Sequence, residues 1–394
     1  MAALDSTSQT RLLTIKNLLL GVTLALIFIV GAMAIVGLNT ASNEKSRAER
    51  AMTLNSLIDD IVTLKLSVSG ERNYTLTAYG FPEAVPDEFS TKISINRGAV
   101  EGAYDNIRLK LQDLPEFDGK DSNPERFEAA NKKFEAYKTE FFDAYNAYVA
   151  LFDTTDSDIG VGADERVSRS STVRKAMDSL IEAAARVRGE IEANYDFGDG
   201  RIAVVNRLKY QLWVMIEYAA REAASLGENV SSGEPISIIK KGQGDRYGGY
   251  GQSAWEQVQA IAVSTTASAN IAAQLEQIQD VFFDQFEETR FELYDLSDDA
   301  VDEADDPFDV NVNYGRSPLQ WMETANGAVE PVMMMSRYAN QLSTELNNEA
   351  VSSASAAMAT SIILIIVVLG VGGVSVWVVL SRVVSPVNAL SDTM

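Results

Sequence analysis

Two charge-free segments constrain the fold of this chain more than any other feature. Residues 18–38 read LLLGVTLALIFIVGAMAIVGL, and residues 356–380 read AAMATSIILIIVVLGVGGVSVWVVL. Because a helix rises about 1.5 Å per residue, roughly 20 apolar residues cross the core of a bilayer. Both segments are therefore predicted to be transmembrane helices. A cleaved signal peptide is the alternative for the first segment, since residues 32–34 mimic a cleavage site, but the apolar run continues beyond them.

The charges that flank these segments predict their orientation. Arg11 and Lys16 precede the first segment and Arg382 follows the second, whereas acidic residues dominate between them. Short basic flanks stay on the cytoplasmic side of a membrane. We therefore expect a multi-pass membrane protein with both termini in the cytoplasm and residues 39–355 outside it, which for a bacterial inner membrane is the periplasm.

Composition excludes several classes of function. The 394 residues include no His and no Cys, and the formal net charge is -23. Histidine-based catalysis, thiol nucleophiles and His/Cys metal sites are therefore excluded, and a surface this acidic disfavours nucleic acid. The acidic run at residues 297–309 lacks the ligand spacing of an EF-hand and is expected to be a solvated loop. Nothing resembles a nucleophile elbow or a phosphate-binding loop, so we expect neither an enzyme nor a cofactor.

The segment between the two spans has the residue spacing of a helical bundle. Its apolar residues recur at steps of three and four, as in a packed helix. The two clearest runs are Leu54, Leu57, Ile61, Leu64 and Val68, and then Leu208, Leu212, Met215 and Ala219. Predicted breaks between the helices lie at residues 81–88, 114–125, 154–162, 195–200, 231–235, 241–251 and 297–309.

These elements predict an all-α fold in which two transmembrane helices flank an extracytoplasmic helical bundle. The roughly eight helices suit two four-helix modules, with one long irregular bundle as the alternative. Ser317, Pro318 and Gln320 have the pattern of a capping box, so a last helix is expected to run from there into the second span. The predicted domains are a cytoplasmic tail at 1–17, a transmembrane helix at 18–38, module A at 39–195, module B at 196–355, a transmembrane helix at 356–380 and a linker at 381–394.

The first apolar run carries a charged pair where another apolar residue is due. Extending it past Val68 reaches Glu71, which is followed by Arg72. Arg97 lies at a similar depth in the next helix of an antiparallel hairpin, so these three charged side chains are expected to cluster. One positive charge is then in excess, and its burial is unfavourable unless an anion neutralises it. An anion pocket and a set of interhelical ion pairs or outward-pointing arginines both fit this pattern.

The second apolar run repeats the pattern with Arg221 and Glu222, and Arg246 follows Arg221 by 25 residues, as Arg97 follows Arg72. A guanidinium group presents two parallel donors to a planar oxyanion and stays charged when it is desolvated. A small anion such as nitrate, nitrite or a short carboxylate is thus the expected ligand. The candidate ligand-binding residues are Glu71, Arg72, Arg97, Arg221, Glu222 and Arg246.

The end of the chain resembles the start of a HAMP domain. Residues 381–394 read SRVVSPVNALSDTM, in which Arg382, Pro386, Leu390 and Met394 match the basic residue, the proline and the heptad apolar positions with which such domains open. A HAMP domain is several times longer than this segment. The resemblance therefore implies a fragment of a bacterial transmembrane receptor that lacks its signalling part.

The periplasmic segment is similar to the nitrate- and nitrite-sensing (NIT) domain of chemoreceptors and sensor kinases. The matching stretches are GERNYTLTAY at 70–79, INRGAVEGAY at 95–104, LWVMIEYAAREAASLGENVSSGEPIS at 212–237 and SPLQWMETANGAVEPV at 317–332. Ala223 stands where the NIT family usually has a second Arg, which weakens the expectation of an anion site in the second half.

Together these resemblances imply the sensory and membrane portion of a methyl-accepting chemotaxis-type receptor. Such a receptor works as a homodimer in the lipid bilayer, and ligand shifts one helix against its neighbours to reach cytoplasmic signalling proteins. The sensory region of a histidine kinase or a cyclase has the same architecture. A helical membrane scaffold without a ligand is the alternative from another class. It predicts that Arg72 and Arg97 are fully paired or exposed and that no pocket lies between the helices.

Cysteine labelling tests the predicted topology, because the chain has no cysteine of its own. Single cysteines are introduced at Asn43 and at Thr393 and exposed to a membrane-impermeant maleimide in intact spheroplasts. We expect labelling at position 43 only, and labelling at both positions after permeabilisation. Labelling at position 393 without permeabilisation would contradict cytoplasmic termini.

Overall fold

Helices account for all the regular secondary structure that the computed structural model describes. The described residues are 15–114, 116–117, 123–264, 269–306, 310–378 and 381–382. The α-helices within them are α1 (Ile15–Gly80), α2 (Asp87–Gln112), α3 (Pro124–Val149), α4 (Phe152–Ile159), α5 (Ser170–Asn194), α6 (Gly200–Ser232), α7 (Ile238–Ser264), α8 (Ala269–Ile278), α9 (Phe286–Glu303) and α10 (Pro318–Val378). A π-helical segment, Gln279–Gln285, joins α8 to α9. The all-α fold class is therefore confirmed.

The chain divides into two compact units, and α1 and α10 contribute to both. The first unit consists of Met1–Arg50 and Asn347–Met394. It contains two helical segments that are long and apolar enough to cross a membrane. Gly372 of α10 packs against Ile27 of α1, where a Cβ atom would lie only 2.9 Å from the Ile27 side chain. Such small residues allow membrane helices to approach closely.

The second unit, Ala51–Leu346, contains the predicted bundle. Its core includes both predicted apolar runs, whose members are all buried. Two glycines allow α1 and α6 to approach each other closely. A Cβ atom on Gly80 would lie 2.2 Å from the carbonyl oxygen of Glu228, and one on Gly227 would lie 2.2 Å from Thr77 Oγ1. The boundary expected between residues 195 and 196 stays a prediction.

Most predicted helix ends agree with the structure because local chemistry determines them. The Ser317 Oγ accepts a hydrogen bond from the Gln320 N–H at 3.2 Å, and the Gln320 side chain accepts one from the Ser317 N–H at 2.9 Å. This is the predicted capping box, and α10 begins at Pro318. The helix then continues to Val378 and includes the second apolar span.

The predicted break at residues 241–251 is wrong, because the Gly-rich stretch lies inside α7. Its glycines make room for side chains of neighbouring helices. A Cβ atom on Gly244 would lie 2.3 Å from the Tyr294 hydroxyl and 2.6 Å from Glu222 Oε1. Tertiary packing thus outweighs the low helix propensity of glycine, which is about 1 kcal/mol below that of alanine.

Two other predicted breaks are displaced rather than absent. One break was predicted at residues 154–162. In the structure α3 ends earlier, at Val149, the short helix α4 covers residues 152–159, and a second break follows Ile159. Asp158 holds the following loop by accepting hydrogen bonds from the Val167 N–H at 2.8 Å and from the Tyr79 hydroxyl at 2.9 Å. α9 runs into the acidic stretch as far as Glu303. Residues 307–309 and the HAMP-like residues 383–394 lie outside the described residues.

Candidate functional site

Glu71 of α1 is fully buried, with no exposed surface. Its carboxylate accepts a hydrogen bond from Arg97 Nε at 3.1 Å and another from the hydroxyl of Tyr148 on α3. Arg97 also contacts Asp156 at 2.9 Å, at the surface. Burial raises the pKa of Glu71, although Tyr148 and Arg97 oppose that shift. Glu71 and Arg97 therefore come together as predicted, but Arg97 is shared between two carboxylates.

Arg72 points away from Glu71 and into the contact between α1 and α6. It is 1% exposed and makes a bidentate pair with Glu217 of α6, at 2.9 and 3.1 Å. Ser69 donates a further hydrogen bond to the same carboxylate at 2.5 Å. Burial alone would raise the pKa of Glu217, but the neighbouring Arg72 and Arg221 hold it below its ordinary value. Glu217 is therefore a buried, ionised carboxylate.

Asp178 of α5 bridges Arg72 and Arg221. One carboxylate oxygen accepts from Arg72 at 2.6 Å, and the other accepts from Arg221 at 3.4 Å. Arg221 also donates to Glu217 at 2.6 Å. The structure thus brings Arg72 and Arg221 together around two carboxylates, which joins α1, α5 and α6.

A third arginine, Arg174 of α5, completes what we call the arginine cluster: Arg72, Arg174 and Arg221. These residues and Asp178 line a small void of about 10 Å³, which is room for about one water molecule. The Nε atoms of Arg72 and Arg174 are buried and have no hydrogen-bond partner among the described residues. Arg174 and Lys240 share Glu228, at 3.3 and 3.1 Å.

The charges of this region favour an anion. Its cations are the arginine cluster and Lys240, and its carboxylates are Glu217, Asp178 and Glu228. Four positive charges therefore face three negative ones, and two guanidinium N–H groups still need an acceptor. Unsatisfied buried donors are unfavourable, so a small oxyanion would be stabilised here.

Glu222 of α6 repeats the arrangement of Glu71 in the second half. It is 4% exposed, and it accepts hydrogen bonds from Tyr294 at 3.2 Å and Arg290 at 3.4 Å, both on α9. Burial raises its pKa to about 7, although Arg290 and Tyr294 oppose that shift. Each half therefore contains one buried glutamate held by a tyrosine and an arginine.

Arg246 does not take part in this second arrangement. It is exposed on α7, and the structure shows no ion pair between it and another described residue. Six residues that complete the two arrangements and the arginine cluster were not expected from the sequence. These are Tyr148, Arg174, Asp178, Glu217, Arg290 and Tyr294. Only Glu217 had a local signal, because it stands four residues before Arg221 on one helix face.

The fold is similar to the solved structure of the NasR transcription antiterminator, with a TM-score of 0.53 and 13% sequence identity over 86% of this chain and 81% of that chain. The likeness is one of fold. It agrees with the helical fold that the sequence predicts. No family model and no curated protein sequence matches this chain.

Replacing Glu217 by glutamine tests the buried charge pair. The Glu217→Gln variant leaves the buried guanidinium of Arg72 short of one negative charge, so we expect the free energy of unfolding to fall by about 3–5 kcal/mol. Thermal and denaturant unfolding of the purified full-length chain, followed by circular dichroism, measures it.

Asp105→Asn is the matched control, because it removes an exposed pair between Asp105 and Arg108 on α2. We expect it to change the stability by about 1 kcal/mol at most. Equal effects of the two substitutions would show that Glu217 contributes no more than a surface charge.

Proposed function

We propose that this protein is a transmembrane sensor that binds a small planar anion at the arginine cluster. The observation that carries the proposal is the pair of buried, unpartnered Nε donors on Arg72 and Arg174, beside more cations than carboxylates. Nitrate, nitrite and short carboxylates have acceptor oxygens in one plane, which suits guanidinium donors. Of the residues expected from the sequence, Arg72 and Arg221 would contact the ligand.

Asp178 has a specific role in this proposal. Its carboxylate is itself a planar oxyanion, and it bridges Arg72 and Arg221. Its side chain is 21% exposed, so it could move towards solvent at lower cost than Glu217 could. The void beside it is too small for nitrate without rearrangement. An anion would therefore compete with Asp178 for these arginines and favour a packing in which α5 is displaced.

Hydrogen bonds connect α10 to α6 and α1, two residues away from Arg221 and Arg72. The indole N–H of Trp321 on α10 donates to the carbonyl oxygen of Ala223 at 2.9 Å, two residues after Arg221. On the other side, Asn326 of α10 donates to the Tyr74 hydroxyl of α1 at 2.9 Å. A displacement of α6 at Arg221 would therefore act on α10, which continues as one helix into an apolar span.

The remaining parts of the proposal follow from the sequence. The two apolar spans suit an inner-membrane protein with residues 39–355 in the periplasm, and the signal would pass through a HAMP-like linker to a chemotaxis-type output in a homodimer. A sensor kinase or cyclase output fits the same helices. The ligand-free scaffold is less well supported, because Arg72 and Arg97 each retain an unpartnered buried nitrogen.

Calorimetry on the full-length chain in lipid nanodiscs tests anion binding, with nitrate, nitrite and acetate as probes. Arg221→Ala is the decisive variant, because Arg221 is half-buried and its loss leaves the pair between Arg72 and Glu217 in place. We expect it to weaken binding by about tenfold or more, since a charged hydrogen bond contributes about 1.5–3 kcal/mol. Asp178→Asn should tighten binding, because it removes the competing carboxylate.

Arg246→Ala is the matched control, because it removes an exposed arginine outside the cluster. We expect the Arg246→Ala variant to bind the anion as tightly as the wild-type chain does. The proposal fails if none of the three anions binds, or if Arg221→Ala binds the active anion as tightly as Arg246→Ala does.

A further inference from the structure

A second cavity, of about 360 Å³, lies beside Glu222. Its walls come from α6, α7, the π-helical segment and α9, all within the second unit. None of the residues of the arginine cluster lines it. A cavity of about 150 Å³ already binds benzene, so this volume is sufficient for a small organic molecule.

Aromatic side chains form one wall of the cavity. Phe282 and Phe283 belong to the π-helical segment Gln279–Gln285, and Phe286 and Phe291 follow on α9. The rings of Phe282 and Phe283 lie edge to face, with centroids 4.9 Å apart. A π-helical turn changes the register of the side chains that follow it, and such turns are frequent at binding sites. Here it places two consecutive phenylalanines on the cavity.

The opposite wall is open because α7 contributes glycines. A Cβ atom on Gly248 would lie 3.0 Å from Arg290 Nη1, whereas one on Gly249 would meet nothing within 4 Å. A Cβ atom on Gly251 would reach Phe282 Cε1 at 4.0 Å, which is an ordinary contact distance. Side chains at these positions would take up space in the cavity, so the glycines of α7 help to keep it open.

Arg290 supplies a polar group at the base of the cavity. Its side chain is 8% exposed, its Nη1 contacts Glu222 at 3.4 Å and its Nη2 contacts Glu287 at 3.0 Å. Its Nε is buried and has no hydrogen-bond partner among the described residues. A buried donor of this kind is unfavourable unless an acceptor reaches it.

The charges around the cavity select against an anionic ligand. Glu222, Asp245 and Glu287 line it together with one guanidinium, so carboxylates outnumber cations. The positive charge of Arg290 is already neutralised by its two glutamate contacts. The Nε–H of Arg290 is therefore best matched by a neutral acceptor, such as an amide or carbonyl oxygen.

We propose that this cavity binds a neutral aromatic molecule that carries one hydrogen-bond acceptor. The ring of this molecule lies against Phe282, Phe283 and Phe286, and its acceptor oxygen takes the Nε–H of Arg290 after a small movement of that side chain. The second half of the sensor unit then has a ligand of a different chemical class from the anion proposed for the arginine cluster.

Titration of benzamide against the full-length chain in nanodiscs tests this site, with ligand-observed NMR and empty nanodiscs as the blank. We expect saturable binding with a dissociation constant on the order of 1 mM or below, as for a compact ligand of this size. Benzoate, which has the same ring but a negative charge, should bind more weakly.

Gly251→Leu is the blocking variant, and Gly242→Leu is its control on the same helix. A leucine at 251 points towards Phe282 and fills the cavity, whereas Gly242 is exposed and has open space around it. Both substitutions favour the helix. We expect Gly251→Leu to weaken benzamide binding by about tenfold or more, and Gly242→Leu to bind like the wild-type chain.

Arg290→Lys separates the donor from the charge, because lysine keeps the positive charge but lacks the Nε–H. We expect this variant to bind benzamide more weakly than the wild-type chain does. Its affinity for toluene, which has no hydrogen-bond acceptor, should fall less. The proposal is overturned if the wild-type chain shows no saturable benzamide binding, if Gly251→Leu and Gly242→Leu bind it equally, or if benzoate binds more tightly than benzamide.

Discussion

The bidentate pair between Arg72 and Glu217 is the interaction on which the arrangement of the second unit, Ala51–Leu346, depends. Both residues are almost fully buried, and together they fix the register between α1 and α6. Asp178 and Arg221 extend the pair to α5 and to the surface. A buried ion pair is seldom more stabilising than apolar residues of the same volume, but losing one partner is costly. The pair therefore specifies one packing of these helices.

The same chemistry occurs twice around this central pair. Twice, a buried glutamate accepts hydrogen bonds from a tyrosine and an arginine. In the first set Glu71 accepts from Tyr148 and Arg97. In the second set Glu222 accepts from Tyr294 and Arg290. The neighbouring arginines of the two glutamates, Arg72 and Arg221, instead meet at Glu217. The two sets of residues are thus linked through Glu217, and a change in its charge balance would act on both of them.

Local patterns in the sequence predicted local structure well. The spacing of the apolar residues predicted which faces of α1 and α6 are buried, and the capping box at Ser317 predicted where α10 begins. Partners on other helices were not predictable from spacing. Arg290 rather than Arg246 pairs with Glu222, because α9 and not α7 supplies the facing side chain. The glycines of α7 predicted a break, because glycine disfavours a helix. The side chains that pack against these glycines, and make a helix favourable there, belong to residues that are distant in sequence.

The central claim is that an anion at the arginine cluster displaces helices of the sensor unit, and a distance measurement tests it directly. Met52 on α1 and Glu345 on α10 are both exposed, so cysteines at these positions can carry spin labels. Double electron–electron resonance is recorded with an excess of unlabelled chain, at anion concentrations that calorimetry shows to be saturating. The account predicts a shift of about 1–2 Å in the distance distribution, and a smaller shift in Arg221→Ala at the same anion concentration, because that variant binds the anion more weakly. An unchanged distribution with the anion bound would contradict it.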